Sequence, residues 1–184
     1  MSPSLELVQI VDEQNRPVAV APRHEMRSRR LLHRCTYVLV FNSAGELFVQ
    51  TRTDIKDIYP SYLDLAAGGV IAAGESYDDG AKRELQEELG VTEAPLTSHG
   101  VIYFEDKLSR VFGGVYSCTW DGSMRFQSEE VAGGSFMTIE VVFRKAEAGE
   151  KITPDSLEAL RYYLNQISCA QVFDMKVMRK LTGS

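Results

Sequence analysis

The stretch that decides the reading is residues 69–91, GVIAAGESYDDGAKRELQEELGV. Tyr77, Ala81, Leu85 and Leu89 recur every four residues and draw one apolar stripe along a helix from Tyr77 to Leu89. Ser76 stands at the N-cap position, Asp78 and Asp79 fall in the first turn, where the helix dipole favours acids, and Gly90 is a C-terminal stop. Glu84 and Glu88 are four residues apart and share a helical face, with Glu87 at its border. Carboxylates this close repel one another, so such a face calls for cations between them. Mg²⁺ and Mn²⁺ favour oxygen ligands, and Mg²⁺ commonly bridges carboxylates and substrate phosphates. The carboxylate face is expected roughly opposite the apolar stripe, so that the helix packs on a sheet with one side and holds metal with the other. Arg83, four residues before Glu87 and eight after Glu75, can pair with either and hold their geometry. Gly69 and Gly74 let the backbone bend closely around whatever the helix holds.

Outward from this stretch, Leu5–Val11 and Val18–Val20 flank a turn-like segment and read as a hairpin. Pro22 opens a basic segment, His24–Arg34, read as a short helix. Its arginines, Arg23, Arg27, Arg29, Arg30 and Arg34, form either a solvated face or a collar that attracts a phosphate-bearing substrate. Arg34 and, further on, Arg52 are the candidate substrate-binding arginines. Cys35–Asn42 and Leu47–Thr51 read as strands around a tight turn, and Asp54–Pro60 as loop. His99–Glu105, Arg110–Trp120 and Phe136–Ile139 are further strand candidates. Ile139–Ala148 starts like a helix, but its Val141-Val142-Phe143 run leaves the assignment open. Thr153-Pro154-Asp155-Ser156 opens an amphipathic helix carrying Leu157, Leu160, Tyr163, Leu164 and Ile167. The tail from Ser168 is mixed, and Lys176–Ser184 is expected to fray. With no internal repeat and no Gly/Pro/Ser-rich linker, the economical reading is one α+β domain over residues 1–184. Residues 1–34 are then an N-terminal extension and 69–91 the box that carries the chemistry.

A chain of 184 residues can bury a core without metal or disulfide staples, and its 44% hydrophobic and 25% charged residues exclude wholesale disorder. Acids outnumber Lys and Arg, 26 to 20, for a net charge of −6. That balance disfavours a nucleic-acid polymer or an anionic membrane as partner, but a bound divalent cation can reverse the local sign for a small anionic substrate. Three cysteines without CxxC spacing fit neither a disulfide framework nor a zinc ribbon. No signal peptide and no membrane-length apolar run is seen, so the expected location is the cytoplasm.

The pattern of Gly69, Glu75, Arg83-Glu84-Leu85, Glu87-Glu88 and Gly90-Val91 matches the Nudix box at every fixed position, and the chain resembles the Nudix hydrolase superfamily. The resemblance implies the Nudix fold, an α/β/α sandwich around a mixed β-sheet, here with the N-terminal hairpin as an extension. It implies cleavage of a diphosphate linked to another group, dependent on Mg²⁺ or Mn²⁺. The metal ligands it implies are Glu84 and Glu88, often Glu87, and the backbone carbonyl near Gly69. Water would attack phosphorus, with Arg83, Glu84 and Glu87 in the catalytic set. The candidate general bases are Glu84 and the loop acids Glu129 and Glu130. The substrate is a small-molecule diphosphate whose second moiety the sequence does not name. Tyr37, Phe41, Tyr59, Tyr62, Tyr103, Phe104, Phe112, Tyr116 and Trp120 are stacking candidates, although strand aromatics are more often core.

Leu32–Tyr37, Val40–Asn42 and Gly45–Gln50 are further similar to the corresponding part of isopentenyl-diphosphate isomerases. Those enzymes need a cysteine in a Cys-Gly-His-like segment before the metal helix, and Leu65–Val70 here contains neither cysteine nor histidine. The preferred reading is therefore a hydrolase of the isomerase-like subgroup, with the isomerase as the alternative. A non-catalytic ligand-binding Nudix domain would be marked by eroded box carboxylates, and none is eroded. A homodimer through an edge of the N-terminal hairpin is left open.

Overall fold

The computed structural model describes residues 6–182, with side chains through residue 169. The architecture is set by strand β3 (His33–Phe41), which is apolar on both faces. Strands β1 (Leu7–Val11) and β2 (Pro17–Pro22) precede it as a hairpin, followed by the short helix α1 (Arg23–Ser28). β4 (Leu47–Arg52) and β5 (Leu63–Asp64) lead to helix α2 (Tyr77–Leu89). Then come β6 (Thr97–Glu105), β7 (Arg110–Thr119), β8 (Val131–Met137), α3 (Ile139–Glu147) and α4 (Pro154–Thr182).

The eight strands join in one mixed sheet. β3 runs parallel to β7 from His33–Val111 to Phe41–Thr119, and β6 closes antiparallel on β7. On its other side β3 meets β4 only at Phe41–Leu47. The two strands then splay, and β4 pairs with β5 and β8 instead. The gap is filled by residues 67–71, where the chain enters the box. The Val38 N–H donates to Ala67 O at 2.7 Å, Thr36 N–H to Gly69 O at 3.0 Å, and Ile71 N–H to Arg34 O at 3.0 Å. Gly68 makes this approach feasible: a Cβ there would lie 2.0 Å from the Thr36 carbonyl oxygen.

Alternation along β3 builds a core on each face. Cys35, Tyr37 and Leu39 pack with Val142 of α3 and with Ala159 and Leu160 of α4. Val38 and Val40 pack with Ala81, Leu85 and Leu89 of α2. The sheet is thus sandwiched between helices, which is the α/β/α arrangement of the Nudix fold. A third cluster of Val8, Ile10, Ala21, Met26 and Val70 seats the hairpin and α1 on the box loop. Among the described residues no helix is long and apolar enough to cross a membrane.

Some elements differ from the sequence expectation for local reasons. α1 stops at Ser28 rather than Arg34, because Arg30 takes a left-handed φ of 50° and the chain turns into β3. α3 does form, with the Thr138 side chain accepting from Val141 N–H; of the Val141-Val142-Phe143 run only Val142 is fully buried, as one helix face requires. β8 starts at Val131, five residues early, because Gly133 and Gly134 hide its alternation. Gly134 is needed there, since a Cβ would meet the Phe48 ring at 2.5 Å. α4 continues beyond Ser168 to Thr182. The expected hairpin start at Leu5 and, of the fraying expected over Lys176–Ser184, the last two residues lie outside the described residues; 176–182 belong to α4.

Gly68→Ala forces the box loop off β3. It is expected to lower stability by about 1–3 kcal/mol, the scale of overpacking a closed site, as read from the urea midpoint. An unchanged midpoint would show that the loop does not depend on this contact.

Candidate metal and phosphate site

α2 carries the acids, and its ends are as read from the sequence. The Ser76 hydroxyl accepts from Asp79 N–H at 3.1 Å, and Gly90 closes the helix with φ 69°. The carboxylates, however, do not lie opposite the apolar stripe. At 3.6 residues per turn Glu88 falls only about 20° from the direction of Ala81, and Glu84 about 60° from it. Both belong to the buried face with Ala81, Leu85 and Leu89, and only Glu87 reaches solvent. The metal-binding acids and the packing residues therefore share one side of the helix.

Glu88 is 1% exposed. Its carboxylate accepts from the Gly68 N–H at 3.1 Å and from Gln50 Nε2 at 3.1 Å. Gln50 Nε2 also donates to Ala66 O, which fixes the amide and leaves its Oε1 buried without a hydrogen-bond partner. The Glu84 carboxylate rests against Gly69, where a Cβ would come within 2.5 Å of Oε1. The Gly69 carbonyl accepts from Thr36 N–H. Arg83 ties loop and helix together. It grips Glu75 through Nε and Nη2 at 2.8 and 2.9 Å, and its Nη1 donates to Glu84 at 2.7 Å and Glu87 at 3.1 Å. Of the two loop acids, Glu130 enters the site, pairing with Lys56 and lining the cleft, where its charge acts on Glu84 and Glu88. Glu129 stays exposed, its carboxylate accepting from Ser128 Oγ and its backbone carbonyl from Thr53 Oγ1.

The electrostatics are those of a site short of positive charge. Burial pushes Glu84 up to about 7 although Arg83 opposes it, and the charges of Glu130 and Glu87 push in the same direction as burial. Burial and the nearby Glu84 charge hold Glu88 well above the usual carboxylate range. Burial would raise Glu130 as well, but the Lys56 ammonium outweighs it and keeps that carboxyl low. An all-oxygen donor set, with buried carboxylates whose charge Arg83 offsets only in part and an orphaned Gln50 oxygen, fits a hard divalent cation. Among the described residues no three such side chains are already gathered as a metal cage, and Arg83 is the counter-ion that holds Glu84 and Glu87.

Glu84, Glu87 and Glu130 line a cleft of about 380 Å³, with Glu88 buried behind it; Arg23, Arg27, His33, Lys56, Asp57 and Asp155 also form its lining. Arg52 lines it too, but its guanidinium is spent on Asp64 at 2.8 Å and on the Tyr59 and Ile58 carbonyls. Arg34 lies outside the lining. It donates to Asn15 and covers the Tyr77 ring at 5.3 Å. Of the aromatic candidates only Tyr37 lines the cleft, and its hydroxyl donates to Asp155 at 3.1 Å. Cys35 also lines it, fully buried, and burial pushes its thiol far up, so it is not a thiolate. His33 is held neutral, near 4, by burial and by Arg27. Sequence reasoning missed Gln50, Lys56, Asp57 and Asp155. No spacing within their segments marks them.

A NUDIX domain model matches residues 31–159. An uncharacterized Nudix hydrolase from Pseudomonas aeruginosa is 48% identical over 160 residues, covering 87% of this chain and 94% of that protein. The uncharacterized Nudix hydrolase YfcD of Escherichia coli is 41% identical over 163 residues, covering 89% of each. The crystal structure of DR0079 from Deinococcus radiodurans superposes with a TM-score of 0.75 at 28% identity, covering 86% of this chain and 99% of that one. The Nudix domain of Shewanella oneidensis NrtR, solved with ADP-ribose, shares the fold, with a TM-score of 0.60 at 13% identity over 73% of this chain and 87% of that one.

The raised Glu84 carries a stability signature. Its ordinary pKa is 4.5 and its native value about 7, so the native state binds the proton more tightly than the unfolded chain. The group's contribution is thus fully present below 4.5 and is lost as pH rises through 7. Metal-free Glu84→Gln is expected to melt above wild type at about pH 8, with the gap closing toward about pH 5. Parallel melting curves across that range would place the strain elsewhere.

Proposed function

The chain belongs to the Nudix hydrolase family, and on that premise we propose that it is a divalent-metal-dependent diphosphohydrolase of a small molecule. The observation that carries this reading is the buried Glu84–Glu88 pair beside Arg83, with more negative charge than the protein itself neutralises. Glu84 and Glu88, with Glu87 and the Gly69 carbonyl, are the groups to hold Mg²⁺ or Mn²⁺, which would offset charge on the transferring phosphorus and acidify an attacking water. Glu130 is the preferred general base, because Lys56 keeps it ionised while it faces Glu88. Glu84 is the second candidate. Arg83 positions Glu84 and Glu87 rather than touching the phosphate, since its donors are engaged by Glu75, Glu84, Glu87 and the Val70 carbonyl. Water adds to phosphorus and the bridging oxygen leaves, giving two phosphate-bearing or phosphate-terminated products.

The isomerase alternative is disfavoured by the site itself. Residues 65–70 offer no cysteine, and Cys35 is buried and protonated. Membership of the isomerase-like subgroup therefore rests on the sequence similarity around β3 and β4, with the leading hairpin and the Pro154 region. A purely ligand-binding role is disfavoured by the uneroded box. The ADP-ribose held by the Shewanella NrtR Nudix domain makes nucleoside diphosphate derivatives the first class to test. We place the protein in a reducing compartment, the cytoplasm, on its free cysteines. Exposed Val18 and Val20 on the edge strand β2 are where a homodimer would form.

A phosphate-release screen over nucleoside diphosphate derivatives, with Mg²⁺ or Mn²⁺, tests the proposal. Glu88→Gln is expected to lose at least about a hundredfold in turnover, as a lost electrostatic stabiliser does. Glu130→Gln is expected to lose about a hundredfold or more in kcat, as a lost general base does. Cleavage that survives Glu88→Gln, or no metal-dependent cleavage of any candidate, would overturn the hydrolase reading for those substrates.

A further inference from the structure

The cleft holds a second arrangement that the carboxylates of α2 do not use. Arg23 and Arg27 stand one turn apart on α1, and both line the cleft. Both guanidinium groups are directed at one carboxylate, Asp57, in the loop between β4 and β5, at 3.8 and 3.3 Å. Arg23 has a further partner in Glu6 at 3.0 Å. Arg27 has only the charge contact: its Nε is buried and makes no hydrogen bond. The arginine side chains are 20% and 18% exposed, whereas Asp57 is 44% exposed. Two largely buried cations thus share one half-exposed anion, in poor hydrogen-bonding geometry, inside a cleft shared with the metal-binding acids.

We propose that Arg23 and Arg27 form a fork for a phosphate group of the substrate, and that the Asp57 carboxylate occupies this fork until phosphate displaces it. The inference rests on the diphosphohydrolase reading and adds which residues recognise the substrate. Guanidinium groups pair with phosphate through parallel N–H···O bonds, and a terminal phosphate offers three oxygens and up to two charges where Asp57 offers two and one. Exchange therefore satisfies the idle Arg27 Nε, and Asp57, already half in water, loses little on leaving. The same arithmetic favours a terminal phosphate over one esterified on both sides, which keeps a single charge. The hairpin extension acquires a function by this means. Met26, between the two arginines, is buried with Val8, Ile10, Ala21 and Val70, so the fork is fixed to the box loop.

The test is binding of methylenediphosphonate, whose P–C–P bridge water cannot cleave, measured by calorimetry with Mg²⁺. Arg27→Gln is expected to weaken binding by about tenfold or more, the scale of a charge-assisted hydrogen bond. Asp57→Asn, checked for its fold by circular dichroism because it leaves two largely buried arginines without this counter-ion, is expected to tighten it, because the competing anion is gone. Unchanged affinity in Arg27→Gln, or unchanged or weaker affinity in Asp57→Asn, would overturn the fork while leaving the hydrolase reading intact. Absence of binding by wild type would overturn both.

Discussion

The buried hydrogen bond from the Gly68 N–H to the Glu88 carboxylate joins the parts on which the site depends. Gly68 belongs to the segment that pairs with β3, Glu88 to α2, and Gln50, the second donor to the same carboxylate, to β4. Taking a carboxylate out of water costs several kcal/mol unless donors replace its hydration. Here two donors do so, and both exist only because β3 and β4 splay and the box loop lies between them. Without a side chain at position 68 the loop can lie on the Thr36 carbonyl; with one it cannot.

The same splay opens the cleft. A hairpin paired along its whole length would place β4 against β3 and leave no room for residues 66–71. Instead β4 is paired to β5 and β8, and the loops that lead into β5 and β8 bring Lys56, Asp57 and Glu130 to the mouth of the box. The β1–β2 hairpin extends the sheet from the start of β3 and holds α1 over the same opening. Charges from three separate segments thereby meet over the carboxylates of one helix.

The arrangement has a thermodynamic cost, and it shows why the acids matter. Glu84 and Glu88 are protonated more readily than ordinary carboxylates because they are buried near one another. In the metal-free protein this opposes folding as pH rises, and a cation that binds only the folded site recovers the loss. Stability and ligand affinity are linked through the same two side chains.

What the sequence determined by itself was the local pattern. The stripe of Tyr77, Ala81, Leu85 and Leu89, the Ser76 cap and the Gly90 stop define α2, because helix periodicity and capping act within a few residues. The apolar runs of β3 and β4 were legible for the same reason. The side of the helix on which Glu84 and Glu88 lie follows from angles of 100° per residue, yet the expectation that packing and metal binding take opposite faces placed them across from the apolar stripe. Tertiary structure alone decided which other residues join them. Glu130 faces Glu88 and Glu129 does not, Arg27 lines the cleft and Arg34 does not, and no spacing in the chain distinguishes either pair. Those choices depend on how β3 parts from β4 and where the hairpin seats α1, which are contacts between segments far apart in sequence.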